Sequence, residues 1–288
     1  MIGVTGGSEG VDEPRSRRQF AEMLARPEEA VDLGEAALLI ACEEYPGLDV
    51  PGYLGRLDEM GAALRARLPP ETGADGVVDA LNRCLFEEQG FRGNVEDYYD
   101  PRNTFLNEVL DRRTGIPITL SAVYMEVARR AGLHAQGVGL PGHFIVRVSG
   151  GGAELLVDPY HGGARLSEQD CQERLDRIYG GRVKVDASML APCGRKSMLA
   201  RMLRNLKGIY LKSGDHERAL AVVDLLLRVN PRSGEDLRDR GLAYAALDCY
   251  RLAARDLQSY VDLFPGAPEA AGLRDKAAEY RQKAARVN

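Results

Sequence analysis

The sequence has no tryptophan, few other aromatic residues and no long apolar run. Of its 288 residues, six are phenylalanine and twelve are tyrosine, while 44% are hydrophobic and 28% are charged. No stretch approaches the roughly 18 consecutive apolar residues that a membrane-spanning helix needs. The composition therefore argues against a membrane protein and predicts a globular chain of one large domain or two ordinary ones.

Cysteine is also sparse. The five cysteines, at positions 42, 84, 171, 193 and 249, form no CxxC pair and no Cys/His cluster with metal-ligand spacing. A scattered, odd-numbered set is typical of reduced thiols, so we expect a cytoplasmic protein. Residues 1–16 are polar and lack the apolar core of a signal peptide, and we expect a disordered lead-in there.

The charge is divided unevenly along the chain. Residues 195–288 carry 18 basic and 12 acidic side chains, while the preceding residues carry 20 and 31. This asymmetry predicts two domains, which we place at residues 17–192 and 193–288. The basic surplus is too dilute for a nucleic-acid surface, so we do not expect a nucleic-acid partner.

The most informative segment runs from Gly139 to Tyr160 and reads GLPGHFIVRVSGGGAELLVDPY. Apolar alternation around a glycine-rich turn predicts a β-hairpin. With a two-residue turn at 150–151, His143 would face Asp158 with Cβ atoms roughly 4.5–5.5 Å apart. An imidazole and a carboxylate in this arrangement are two members of a catalytic triad.

The third member would belong to the helix that precedes the hairpin. Pro117 opens this helix and Gly132 closes it, and its residues are apolar on nearly every side, which predicts burial. Its first turn is where a helix dipole would favour a thiolate, but it contains only two hydroxyls, Thr119 and Ser121. They are weak nucleophiles, or they satisfy free backbone amides; we favour the second interpretation.

His161 follows in DPYHGG and either lines the same cleft or lies on a surface turn. Together with His143 and Asp158 it could ligate a metal, but the segment is also an ordinary turn sequence. We predict no metal and no cofactor. Helices and a small antiparallel sheet in separate runs of sequence indicate an α+β first domain.

The second domain contains a repeat with a period of 34 residues. Its landmarks are Tyr210 and Tyr244, Ala219 and Ala253, and Pro231 and Pro265. Paired helices at this period are typical of tetratricopeptide repeats. Two repeats seldom stand alone, so we expect them to pack against the first domain or against a final helix near 269–286.

A polar group on the helix that leads into the repeats has two interpretations. Its members are Arg201, Arg204, Asn205 and Lys207. They would contact an acidic partner or nucleic acid, or they would form ion pairs with the acidic first domain. We favour the ion pairs.

Several motifs together resemble one known family. The run RRTGIPITLSAVYMEVARRAGLHAQGVGLPGHFIVRV, then LLVDPYHGG, and then RMLRNLKGIYLKSGDHERAL resemble the SirB-one family over nearly the whole chain. The resemblance implies a transglutaminase-like, papain-related domain followed by a tetratricopeptide region. It also implies that His143 and Asp158 match the transglutaminase-like histidine and aspartate. The catalytic relatives carry cysteine at the start of the central helix, where this chain has Ile118 and Thr119.

Two hypotheses follow for the function. The first is a non-catalytic transglutaminase-like protein that binds a protein or peptide through its repeats, with a regulatory role. The alternative is a hydrolase or acyl transferase that uses Thr119 or Ser121 with His143 and Asp158. A nucleic-acid-binding regulator is a third and weaker hypothesis.

Overall fold

The structure is a computed structural model that describes residues 13–69 and 71–287. The predicted lead-in lies mostly outside these residues, and its last two residues already belong to the first helix. The helices are α1 Arg15–Ala25, α2 Leu33–Ala41, α3 Val50–Arg67, α4 Ala74–Asn82, α5 Leu106–Arg112, α6 Pro117–Arg130, α7 Glu168–Tyr179, α8 Arg195–Ser213, α9 His216–Val229, α10 Gly234–Ala246, α11 Tyr250–Leu263 and α12 Ala270–Val287.

The strands form two small sheets. The strands are β1 Arg92–Gly93, β2 Thr114–Gly115, β3 His134–Val138, β4 Ile145–Gly150, β5 Ala153–Asp158 and β6 Ala164–Leu166. β1 and β2 pair in parallel, and β3 to β6 form an antiparallel meander in sequence order. The predicted α+β class is confirmed. Within the described residues, no helix combines the length and the apolar character that crossing a membrane requires.

Helix α6 is the buried centre of the first region. Every residue from Pro117 to Ala128 is buried, as the apolar sequence predicts. Proline at its first position has no N–H to leave unsatisfied and already has a helical φ. The helix packs against α3 and β3, so it carries its first turn to the edge of the meander.

The predicted hairpin forms, but its register was wrong by two residues. Val146 pairs with Val157, and the turn lies at 151–152 instead of 150–151. Both turn glycines have positive φ, which glycine adopts without strain. His143 precedes β4, which begins at Ile145, so it is not the directly opposed strand residue that the predicted register required. It reaches Asp158 from the turn before the strand.

The two repeat helix pairs, α8–α9 and α10–α11, are followed by α12. The expected packing of the repeats is confirmed on both sides, because α8 contacts α2 and α6 while α12 packs against α11. The largest apolar core is continuous from Phe20 and Met23 of α1 to Leu225 and Leu226 of α9. A separate small core joins α11 to α12.

Candidate functional site

The centre of the site is Asp158, the last residue of β5. Its side chain is fully buried. Pro159 turns the chain directly afterwards, and Oδ1 of Asp158 accepts hydrogen bonds from the backbone N–H groups of Tyr160 at 3.1 Å and His161 at 3.3 Å. An aspartate commonly caps such a turn, so the local sequence Asp-Pro-Tyr-His positions its own carboxylate.

Three side chains converge on the other carboxylate oxygen of Asp158. Nε2 of His143 and Nδ1 of His161 both lie 2.8 Å from Oδ2. Nη2 of Arg174, on α7, forms an ion pair with the same oxygen at 2.9 Å. The predicted contact between His143 and Asp158 is therefore present, although the predicted register was wrong.

These donors decide the charge state of Asp158. Burial by itself raises the pKa of the carboxyl group, since it disfavours the charged form. The hydrogen bond and charge of His143, together with Arg174 and His161, outweigh burial and hold the pKa below its ordinary value. The site thus keeps a buried, ionised carboxylate.

His143 lies on a tight turn between β3 and β4. Its backbone N–H donates to the carbonyl of Leu140 at 3.1 Å, and Gly142 has φ +73°. Since Nε2 is held by Asp158, Nδ1 is the free ring nitrogen, and no described residue forms a hydrogen bond with it. The side chain is 10% exposed.

A cavity of about 150 Å³ lies beside His143. It is bounded by the first turn of α6, by the 142–144 turn and by α8. Its lining residues are Tyr98, Pro117, Ile118, Gly142, His143, Phe144, Arg201 and Asn205. Ile118 thus lines the same cavity as His143, in the first turn of α6 where the resemblance implies a cysteine in catalytic relatives.

The structure does not bring the two predicted hydroxyl nucleophiles to His143. Oγ1 of Thr119 donates to the carbonyl of Asn103 at 2.7 Å and accepts from the backbone N–H of Ile116 at 3.2 Å. This is the helix-start role that we favoured for Thr119. Ser121 is fully buried in α6, and its Oγ has no partner among the described residues. The amide-capping interpretation was therefore wrong for Ser121.

The cysteines do not replace the missing nucleophile. All five are unpaired thiols, and Cys84 and Cys171 are buried. Burial raises the pKa of these two thiols and of Cys42 and Cys193, which makes the reactive thiolate scarcer. None of the five lines the cavity beside His143.

A metal ion fits this cluster poorly. The ligand-type atoms of His143, Asp158 and His161 lie within 4.8 Å of one another, as a metal site requires. However, the Arg174 guanidinium lies against Oδ2 of Asp158 and approaches Nδ1 of His161 to 3.3 Å. A fixed positive charge at this position repels a cation, so the cluster is better described as a hydrogen-bonded group around one carboxylate.

The polar residues predicted to bind a partner separate onto different faces of α8. We define the α8 stripe as one exposed or half-exposed face with the spacing of a helix surface. Its members are Arg201, Arg204, Asn205, Gly208 and Lys212. Arg204 is exposed, and Nζ of Lys212 lies 5.0 Å from the ring centroid of Tyr99.

Lys207 lies on the buried side of α8 and does not fit the predicted role. It is buried, and its Nζ lies 2.8 Å from carboxylate oxygens of Glu235, Asp236 and Asp239. These acids belong to the repeats, so the predicted ion pairs with the first domain are wrong for Lys207. They are also wrong for Arg201, which donates to backbone carbonyls, and for Arg204, which pairs with no described carboxylate. Such pairs come instead from α9, where Arg218 binds Glu44 at 2.7 Å.

Sequence reasoning missed Arg174 as the fourth member of the Asp158 cluster. It lies 16 residues beyond Asp158 on an amphipathic helix, and no motif distinguishes it from Arg177, the other arginine of α7. It also missed Tyr98 and Tyr99, which are 39% and 66% exposed beside the cavity and the α8 stripe. Two adjacent tyrosines in the acidic 96–100 segment were the available signal.

Comparisons with known proteins agree with this architecture. Residues 52–204 match the model of the transglutaminase-like superfamily, and residues 206–278 match that of the tetratricopeptide repeat. A UPF0162 protein of Xylella fastidiosa (strain 9a5c) is 39% identical over 83% of this chain and 86% of its own length. A UPF0162 protein of Pseudomonas aeruginosa is 34% identical over 78% of this chain and 82% of its own length.

The match to a eukaryotic relative spans a smaller share of both proteins. The mouse F-box only protein 21 is 30% identical over 70% of this chain, and the match spans 31% of that protein.

Proposed function

We propose that this protein binds a protein partner without catalysing covalent chemistry. It belongs to the transglutaminase-like superfamily and to the UPF0162 group of bacterial proteins with tetratricopeptide repeats. In this proposal the former catalytic cleft and the α8 stripe form one recognition surface. The protein would act in the cytoplasm as a regulator. Five unpaired cysteines support a reducing compartment.

One observation carries the proposal. Ile118 faces the cavity where a nucleophile would stand, while Thr119 is held by Asn103 and Ile116. A histidine and a carboxylate activate a nucleophile only when its oxygen or sulfur lies within hydrogen-bond reach. His143 has no such neighbour among the described residues. The pair of His143 and Asp158 therefore has no nucleophile to activate.

The repeats supply the partner-binding part of the proposal. The α8 stripe carries three cations, Arg201, Arg204 and Lys212, and the exposed tyrosines of the 98–99 segment lie beside it. Arginine and tyrosine are enriched where protein partners bind most strongly. A positive stripe with an aromatic border favours an acidic partner segment.

The absence of catalysis is tested with the purified full chain. Incorporation of a fluorescent primary amine into a glutamine-containing protein and hydrolysis of an activated ester should not exceed the rates of a His143→Ala variant. Wild-type turnover that is lost in both His143→Ala and Thr119→Ala would sink the proposal and restore the hydroxyl-nucleophile alternative.

Ile118→Cys tests whether the cleft is an intact site without its nucleophile. The new thiol would lie at the start of α6 and beside His143, both of which favour a thiolate. It should react with iodoacetamide faster than the native cysteines, and His143→Ala in the same chain should remove the difference. Equal alkylation rates with and without His143 would contradict this description of the cleft.

The partner surface is tested by charge reversal. Arg204→Glu with Lys212→Glu should release the proteins that the wild-type chain retains in quantitative affinity capture from a bacterial lysate. Arg232→Glu removes an equally exposed cation from the loop between α9 and α10 and serves as the matched control. Equal losses in both variants would mean that the α8 stripe is not the specific surface.

A further inference from the structure

Arg201 is a partly buried cation without a carboxylate partner. Its Nη2 donates to the backbone carbonyls of Leu140 at 3.1 Å and His143 at 2.7 Å, and its guanidinium lies 5.3 Å from the ring centroid of Phe144. No described carboxylate lies within 4.0 Å of it, whereas Arg174 has Asp158. Burial lowers the pKa of Arg201, which reflects the cost of desolvating an unpaired charge.

Arg201 and Asn205 line the cavity from α8, one helical turn apart. No hydrogen bond within the described residues occupies the side-chain amide of Asn205. The cavity thus has a guanidinium and an amide on one wall. Both groups present N–H donors, and a guanidinium fork matches the two oxygens of a carboxylate.

His143 lines the same cavity. Its side chain is nine-tenths buried, and its Nδ1 is the ring nitrogen not engaged by Asp158. The ring therefore borders the space that Arg201 and Asn205 also line.

The first turn of α6 contributes the third wall. Pro117 and Ile118 line the cavity at the positive end of a 14-residue helix. A helix N-terminus favours an anion, and here it meets an arginine without a carboxylate partner at the same cavity. Two independent sources of positive potential, the Arg201 guanidinium and the start of α6, thus meet at this space.

We propose that this cavity binds a carboxylate group through the side chains of Arg201 and Asn205, beside His143. This binding rests on the proposed function, because a cleft that performs no covalent step would hold the carboxylate without converting it. A volume of about 150 Å³ is roughly that of five water molecules, which suits a carboxylate and its adjoining carbons. A partner's chain end, an acidic side chain and a small free acid all offer this chemistry.

The test is a titration of the full chain by calorimetry with five probes. They are sodium acetate, inorganic phosphate, a short peptide with a free terminal carboxylate, the same peptide amidated, and an amidated peptide with an internal glutamate. We expect at least one carboxylate probe to saturate the protein and Arg201→Met to weaken its binding about tenfold or more. The peptide arms identify the source, and acetate alone indicates a small free acid.

Two results would overturn the inference. One is the lack of any saturable, Arg201-dependent binding of a carboxylate probe. The other is phosphate binding more tightly than every carboxylate through the same residues.

A matched variant separates the cavity from surface charge elsewhere. Arg232→Met removes the same charge from the exposed loop between α9 and α10 and should leave the affinity unchanged. Asn205→Phe fills the cavity and preserves the backbone contacts of Arg201, so it should abolish binding. This variant tests the same site if Arg201→Met does not fold. Catalytic turnover by the wild-type chain would refute the proposed function alone. A wild-type chain that shows neither turnover nor carboxylate binding would refute this inference alone.

Discussion

Asp158 is the residue on which the local arrangement of the site depends. Its carboxylate accepts two backbone hydrogen bonds and contacts His143, His161 and Arg174. A fully buried anion is tolerated only when it is paired and hydrogen-bonded in this way. The same contacts hold the hairpin, the 159–161 turn and α7 together.

We expect Asp158→Asn to lower the free energy of unfolding by about 3 kcal/mol, because the change leaves the Arg174 guanidinium without its carboxylate. Urea denaturation at neutral pH measures the loss. Asp75→Asn removes a carboxylate that is 78% exposed and should cost no more than about 0.5 kcal/mol. Equal costs for the two variants would contradict the organising role of Asp158.

The difference in the free energy of unfolding between wild type and Asp158→Asn should depend on pH. Because the folded pKa of Asp158 is depressed, its stabilising contribution is present above the ordinary carboxyl pKa of about 3.9. It is lost as the pH falls through the lower folded value. The difference between wild type and Asp158→Asn should therefore narrow in acid, and a difference that stays constant down to full protonation would contradict the assignment.

At the scale of elements, Lys207 connects the two repeats. It lies on α8, and its three carboxylate partners all lie on the first two turns of α10. Burial lowers the pKa of Lys207, but Asp236, Asp239 and Glu235 raise it further, so the net pKa is raised. These ion pairs join α8 of the first repeat to α10 of the second.

Lys207→Met should destabilise the chain by about 3 kcal/mol, because Asp236 loses its cation and Asp239 keeps only Arg238 while both remain largely buried. Hydrogen exchange should show faster opening of α10 than in the wild type. Arg204→Met, on the exposed face of the same helix, should change the stability by no more than about 0.5 kcal/mol. Unchanged exchange in α10 would exclude this connecting role.

At the scale of the molecule, the first region and the first repeat share one core. Met198, Leu203 and Leu206 of α8 are fully or almost fully buried in the same apolar cluster as the front helices. Ion pairs at the surface, such as Arg218 with Glu44, join the same two parts. The proposed boundary at residues 192 and 193 therefore divides the sequence without dividing the core.

A chain that ends at Pro192 should consequently lose its fixed tertiary packing. Removal of α8 and α9 exposes apolar surface, and dye binding to that surface should rise while the near-ultraviolet circular dichroism falls. A chain that ends at Pro231 retains both helices and is the matched control, which should keep a native spectrum. A native spectrum for the shorter chain would show that its core is self-sufficient.

Local patterns predicted much of the fold. The helix from Pro117, the hairpin and the 34-residue helix pairs are confirmed, because each depends on periodicity and on proline or glycine at fixed positions. The hairpin register was wrong because three successive glycines allow more than one turn. Two registers that differ by two residues bury the same alternating face, so the pattern does not choose between them.

The sequence by itself determined the family, the helix and hairpin that carry the site, and the lack of a cysteine in the first turn of α6. These properties depend on residue identity and on short-range spacing. Only the tertiary structure decided that Arg174 joins Asp158, that Lys207 is buried and that Arg201 faces a cavity without a carboxylate partner. The partner of a charged side chain depends on how elements distant in sequence pack together, and a local sequence pattern contains no information about that packing.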